Sequence, residues 1–167
     1  MMRLLHKAGF TMVEMLVYIA ILLVVSTAGV TLLISFDDFI GQYKIETALY
    51  RSGTTAMEQI LVALRQGDLY DIINSTEDDP ANGALAIVNG ATTTRFALEG
   101  NDLVLYINGQ NFGDLIGDTA SATSFPVHHY DMAAGDLVRV EFGLEATDNG
   151  VTKTLILNGG AVIRGSL

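Results

Sequence analysis

The chain contains no cysteine. Disulfide staples, thiolate metal sites and thiol catalysis are therefore excluded, as is anchoring through a lipid-modified cysteine. Basic residues are scarce: nine Lys and Arg stand against nineteen Asp and Glu, a formal charge of −10. Two of the nine, Arg3 and Lys7, lie within the first nine residues, and without that segment the balance is −12. Phosphate repulsion opposes nucleic-acid binding by so acidic a body, so direct binding is not expected, although Arg51, Arg65 and Arg95 could form a local patch. No proline falls between Phe10 and Gln66, and no charge falls between Met15 and Phe36.

What is present follows from those gaps. Met15 to Phe36 is an uncharged apolar run of 22 residues, about 33 Å as a helix, which matches a hydrocarbon core. Arg3 and Lys7 before it, with Asp37 and Asp38 after it, predict an inside N-terminus and an outside C-terminus. Two plain readings are a single-span anchor and a secretory signal cut near Ser26-Thr27-Ala28. Glu14 argues against both, because a carboxylate at the head of an apolar run disfavours insertion unless it finds a partner. Helical patterning also continues beyond the run. Phe39, Tyr43, Ile45, Leu49, Gly53, Ala56, Met57, Ile60, Leu61 and Leu64 recur at three- and four-residue steps and mark one buried face. Gly67 supplies a stop. The pattern predicts one helix over 10–66, roughly 85 Å long, apolar all round at first and one-sided later.

Gly9-Phe10-Thr11-Met12-Val13-Glu14, after a short basic leader and before the apolar run, resembles the class III signal of type IV prepilins and pseudopilins. The resemblance covers about the first 35 residues. It implies cleavage between Gly9 and Phe10, N-methylation of Phe10 by the same membrane peptidase, and assembly roles for Thr11 and Glu14. It further implies other pilin subunits, the prepilin peptidase/methyltransferase, the cytoplasmic membrane and an assembly platform as partners, with no cofactor and no enzymatic activity. Cleavage would create a charged amine, and Glu14 is its natural counter-ion on a neighbouring subunit. Level pairing would offset adjacent helices by four residues, about 6 Å along the axis. Glu14 pairing with the amine of its own chain is the competing local reading. Two departures from the family pattern point to a minor pilin or pseudopilin. Gly29 and Thr31 stand where many pilins carry a helix-breaking proline, and the missing cysteines remove a disulfide-bounded C-terminal loop.

Beyond Gly67 the periodicity changes. Asp68, Asp71, Glu77, Asp78, Asp79 and Pro80 read as an acidic linker. Strands are predicted over 84–88, 92–98 and 103–107, with Gly100-Asn101 and Asn108-Gly109 as turns. A loop follows from Gln110 to about Ala122, then a short edge strand over 123–127 interrupted by Pro126. Val138, Val140, Phe142 and Leu144 alternate inward along 137–144, Asp148-Asn149-Gly150 turns the chain, and 151–157 returns. Gly159-Gly160 separates a last run, 161–164. The expected fold class is α+β and pilin-like, with one long helix on an antiparallel sheet of four to six strands. The expected organisation is a removed leader (1–9), a helix (10–66, spanning about 12–36) and an extracytoplasmic β-rich domain (67–167).

Other candidate chemistry is thin. His128-His129 with Tyr130 and Asp131 offers metal-ligand residue types, but adjacent strand residues point to opposite faces, and a surface loop is preferred. The acids over 68–79 lack the spacing and glycine of a calcium loop, so no metal site is assigned. Asn74-Ser75-Thr76 matches the glycosylation acceptor pattern, a short match that arises often by chance. Ser, His and Asp occur without a nucleophile elbow, and no phosphate-cradling glycine loop is present.

Overall fold

The computed structural model describes residues 11–132, 135–148 and 150–163. Contact density divides the chain into two units, Met1–Ile40 and Gly41–Leu167. One helix, α1 (Met12–Gln66), contributes to both. Without proline, and with no glycine followed by a cluster of turn formers, nothing in this stretch interrupts the backbone ladder.

In the first unit α1 has no core of its own. None of the residues 11–40 is buried, and Leu22, Val24, Leu32 and Leu33 are all more than half exposed. Three hydroxyl side chains there bond back to the helix. Thr27 Oγ1 donates to the Leu23 and Val24 carbonyls at 3.0 and 2.9 Å, Thr31 to Thr27 at 3.0 Å, and Ser35 to Thr31 at 3.0 Å. Such bonds leave those hydroxyls needing nothing from water, as a hydrocarbon environment requires.

In the second unit the remainder of α1 buries Ile45, Leu49, Gly53, Ala56, Met57, Ile60 and Leu64. The expected stripe is thus present from Ile45 onward. Phe39 and Tyr43, assigned to it from spacing, are each 65% exposed, and Leu61 is only partly covered. The helix closes on the strands at Gly53, where an added Cβ would lie 2.7 Å from Leu144 Cδ1 and 2.8 Å from Leu157 Cδ1.

Among the described residues nine strands form two antiparallel sheets. The first is a meander of β1 (Leu69–Tyr70), β2 (Ala84–Asn89), β3 (Thr92–Glu99), β4 (Asp102–Ile107) and β5 (Gln110–Asp114). The second contains β6 (Ser121–Ser124), β7 (Val127–Met132), β8 (Gly135–Asp148) and β9 (Val151–Ile163). β8 is its axis, bonded on one side to β6 and β7 and along the other to β9. Val138, Val140, Phe142 and Leu144 are fully buried on β8, as their alternation predicts. Phe125, between β6 and β7, meets Phe142 edge-to-face at 5.9 Å. The α+β class holds, with five strands in one sheet and a further four in the other.

Four local expectations change. The acidic stretch after Gly67 is a folded arm that includes β1, with the Asp71 and Thr76 amides bonded to β2. Gln110 to Asp114 is a strand, because Asn108 (φ 52°) and Gly109 (φ 78°) form a tight turn that returns the chain beside β4. The segment 123–127 divides at Phe125-Pro126 into the ends of β6 and β7. β9 runs unbroken through Gly159-Gly160. There a Cβ on Gly159 would lie 2.8 Å from Met57 Sδ, so that glycine serves close helix–sheet approach rather than a turn.

Candidate assembly and processing segment

The head of α1 is set by Thr11. Its Oγ1 accepts the Glu14 amide N–H at 3.3 Å and its carbonyl accepts that of Met15 at 3.2 Å. Thr11 is therefore the N-cap and Glu14 the third helical residue, the spacing of a capping box. Thr-x-x-Glu ahead of an apolar run was a readable signal for this local role, and motif matching alone passes it by. The Glu14 carboxylate itself is exposed and makes no hydrogen bond or ion pair with any described residue. It stands one turn into a helix whose next 22 residues carry no charge. The N-terminal end of the helix dipole favours a negative group there by about 0.3–1 kcal/mol, too little to offset burial of an unpaired charge in lipid. Gly9 and Phe10, expected to flank the cleaved bond, lie outside the described residues.

The remaining candidates are brought into different surroundings. His128 and His129 lie on β7, not in a loop. His128 Nδ1 is 2.5 Å from Asp78 Oδ1, on the arm between β1 and β2. His129 stacks on Tyr70, with ring centroids 4.4 Å apart. Its Nδ1 is 3.6 Å from Glu77 Oε1, and its buried Nε2 is 3.2 Å from Asp136 Oδ1. The latter is a close approach rather than a directed hydrogen bond, since Nε2 has no hydrogen-bond partner. The two histidines thus clasp the acidic arm to the second sheet. Tyr130 and Asp131 continue the strand as exposed residues. Among the described residues no three His, Asp or Glu side chains converge as a metal set.

The acids of the arm each hold a separate partner. Asp68 Oδ2 accepts the Gly90 amide at 2.8 Å. Asp71 accepts the amides of Ile73 and Asn74 and the Asn74 side chain. Asp79 does the same for Ala81 and Asn82, and the Asn82 side chain foremost, then those amides, hold its carboxyl below the usual range. Arg51, Arg65 and Arg95 do not form one patch, because each lines a different hollow.

Tyr70 shows what the clasp contributes. It is 3% exposed, and its hydroxyl donates to Glu77 Oε1 at 3.0 Å. Burial, reinforced by the Glu77 charge, pushes its phenol far above the ordinary value of 10.0. The unfolded phenol ionises near that value while the folded one stays neutral. The contribution to stability is therefore present below pH 10 and lost as pH rises above it. Tyr70→Phe is expected to cost about 1–2 kcal/mol at neutral pH. It should also flatten the fall of the urea midpoint between pH 9 and pH 11, and parallel slopes in the two proteins would refute this assignment.

Residues 4–33 match the family model of the prokaryotic N-terminal methylation motif. No curated protein and no solved structure matches the chain. The match covers the leader from Leu4, including Lys7, the capping box at the head of α1 and most of the apolar run. The chain thus carries a type IV prepilin-like N-terminal signal, and among the described residues α1 is the one helix long and apolar enough to cross a membrane.

Proposed function

We propose that this prepilin-type chain is a structural, non-enzymatic subunit of a type IV pilus-type filament, minor rather than major. The observation that carries the reading is the methylation-motif match over residues 4–33, with Glu14 as the lone acid at the head of the apolar helix. In this reading the chain enters the cytoplasmic membrane with its leader inside and its β-rich domain (67–167) outside. The prepilin peptidase cuts between Gly9 and Phe10 and methylates the Phe10 amine. An assembly platform then adds the subunit to a filament through its helix. Thr11 holds the first turn, and Glu14 meets the Phe10 amine of a neighbour. The unburied apolar surface of residues 12–36 supports a role for that surface in lipid and then among neighbouring rods.

A pseudopilin of a type II secretion or DNA-uptake machine is the second reading, supported by the same signal together with the absence of cysteine and of a proline in the helix. Intact-mass and N-terminal sequencing of the membrane-extracted protein tests the shared step. The expected product begins at methylated Phe10. A product beginning at Met1 would make the helix a plain anchor, and one beginning at Gly29 would make it a secretory signal. Either outcome removes the filament reading.

A further inference from the structure

β9 is paired along all 13 of its residues with β8, and nothing else among the described residues bonds to its backbone. In an antiparallel ladder only alternate residues turn their N–H and C=O toward the partner, so the other half of these groups lie along a free edge. The remaining edges are short or taken. β2 is covered by the acidic arm, through the amides of Asp68, Asp71 and Thr76. β6 and β7 have four and six residues, and their chain is bonded to Asn101, Pro80 and Asp78. β5 has five residues and a shifted register.

Three properties set the free edge of β9 apart from one that is kept from pairing. First, the usual defences of proline, bulges and repeated charge are missing. Its register is unbroken, and neither proline nor charge falls between Thr154 and Ile163. Second, its core-facing side chains are incompletely covered, since Leu155, Leu157 and Ala161 pack on the core yet stay partly open. Third, two cations beside it are uncompensated. A hollow of about 470 Å³ lies between Gly160, Ala161 and Val162 of β9 and the end of α1, where Arg65 lines it. Arg65, and Lys153 on β9 itself, are exposed, and neither has an ion-pair or hydrogen-bond partner among the described residues. Lys153 and Ala161 are eight residues apart, so both fall on the face that carries Leu155 and Leu157. Glu141 and Glu145 of β8 stand opposite Asn158 and Thr154, on the other face.

We propose that β9 receives an extended segment of another protein as a further antiparallel strand of the second sheet. The incoming backbone meets the free N–H and C=O groups, which no other ligand matches in register. Apolar side chains opposite Leu155 and Leu157 complete the margin of the core, and acidic groups eight residues apart meet Lys153 and Arg65. A second copy fits worse. Antiparallel pairing of two β9 strands centred on Leu157 would set each Lys153 beside the partner's Arg65, and like charges so placed oppose pairing. The site lies wholly within the second unit and does not rest on the filament reading.

Hydrogen exchange of the full chain in detergent tests the site with a capped nine-residue peptide. The peptide has aspartate at both ends and alternating threonine and valine between, with the valines on the aspartate face. The β9 amides that face away from β8 are expected to exchange several-fold more slowly with the peptide, while those of β5 are unchanged. Arg65→Gln with Lys153→Gln, both at exposed positions, should weaken the peptide several-fold and leave exchange without peptide as it was. Equal protection by a peptide with lysine at both ends would overturn the acidic character of the partner. Equal protection by a peptide N-methylated at every residue would overturn strand addition, and no protection by any peptide would overturn the site. Protection of the same amides without peptide, rising with protein concentration, would give the edge to a second copy and overturn the proposed partner.

Discussion

Glu14→Ala is expected to insert and lose its leader normally, yet to enter filaments at no more than a few per cent of the wild-type level. The carboxylate has no partner among the described residues and heads a helix that offers it no solvent once enclosed by other apolar rods. Removing one member of a buried ion pair costs about 3–5 kcal/mol, because the other charge is left uncompensated. Here the abandoned charge would be the Phe10 amine of the neighbour. That energy corresponds to a loss of at least roughly a hundred-fold in the association constant at each subunit contact.

The capping geometry supplies a rival explanation of the same loss. The cap itself uses the Glu14 backbone N–H, which alanine keeps, but alanine lacks a side chain long enough to close the first turn from the capping-box position, an interaction worth about 1 kcal/mol where it forms. Glu14→Gln separates the two. Glutamine keeps the length and reach of a capping-box residue but carries no charge. If Glu14 acts through charge, both variants fail to assemble, as scored by sheared filament yield against the membrane-retained pool. A glutamine variant that assembles like wild type would reduce Glu14 to a helix cap and remove the register role.

How much of this was legible depends on whether a residue's neighbours lie close in sequence. α1 was readable because no proline falls between Phe10 and Gln66, a charge-free apolar run fills its first half and a three- and four-residue apolar spacing its second. β8 was readable because Val138, Val140, Phe142 and Leu144 alternate cleanly. β5 was not. Gln110-Asn111-Phe112-Gly113-Asp114 has poor strand propensity, and only the preceding turn and the free edge of β4 recruit it. The partition into two sheets was equally hidden, since it depends on β8 binding β6 and β7 in succession along one edge. The stripe on α1 was over-extended at Phe39 and Tyr43 because periodicity reports amphipathicity, not where a covering sheet begins. Likewise the histidines read as a loop because their partners, Glu77 and Asp78, lie some fifty residues away. In the helix head, a local hydrogen-bond pattern and a family signal share Thr11 and Glu14, and the signal concealed the cap.

Phe142→Ala is expected to be the most destabilising single truncation in the β-rich domain. Phe142 is fully buried near the middle of β8, opposite Leu157 of β9 and level with the break between β6 and β7, and its ring meets Phe125 at 90°. Phe125 in turn anchors the break between β6 and β7, where its amide donates to the Pro80 carbonyl of the acidic arm at 3.0 Å. Truncation therefore removes the transfer energy of a phenyl ring, leaves a cavity in the core and loses an aromatic pair. Core Phe→Ala changes cost about 3–5 kcal/mol, a large share of the 5–15 kcal/mol typical of a whole domain. Ile156→Ala on neighbouring β9 provides the contrast. Ile156 is 62% exposed, so its loss should change stability by no more than about 0.5 kcal/mol. Urea unfolding of the detergent-solubilised full chain, followed by near-ultraviolet circular dichroism, measures both. Comparable midpoints for the two variants would mean that β8 is not the structural axis of the second sheet. A large loss confined to Phe142→Ala would place the second sheet's stability in β8, the strand that pairs with β6, β7 and β9.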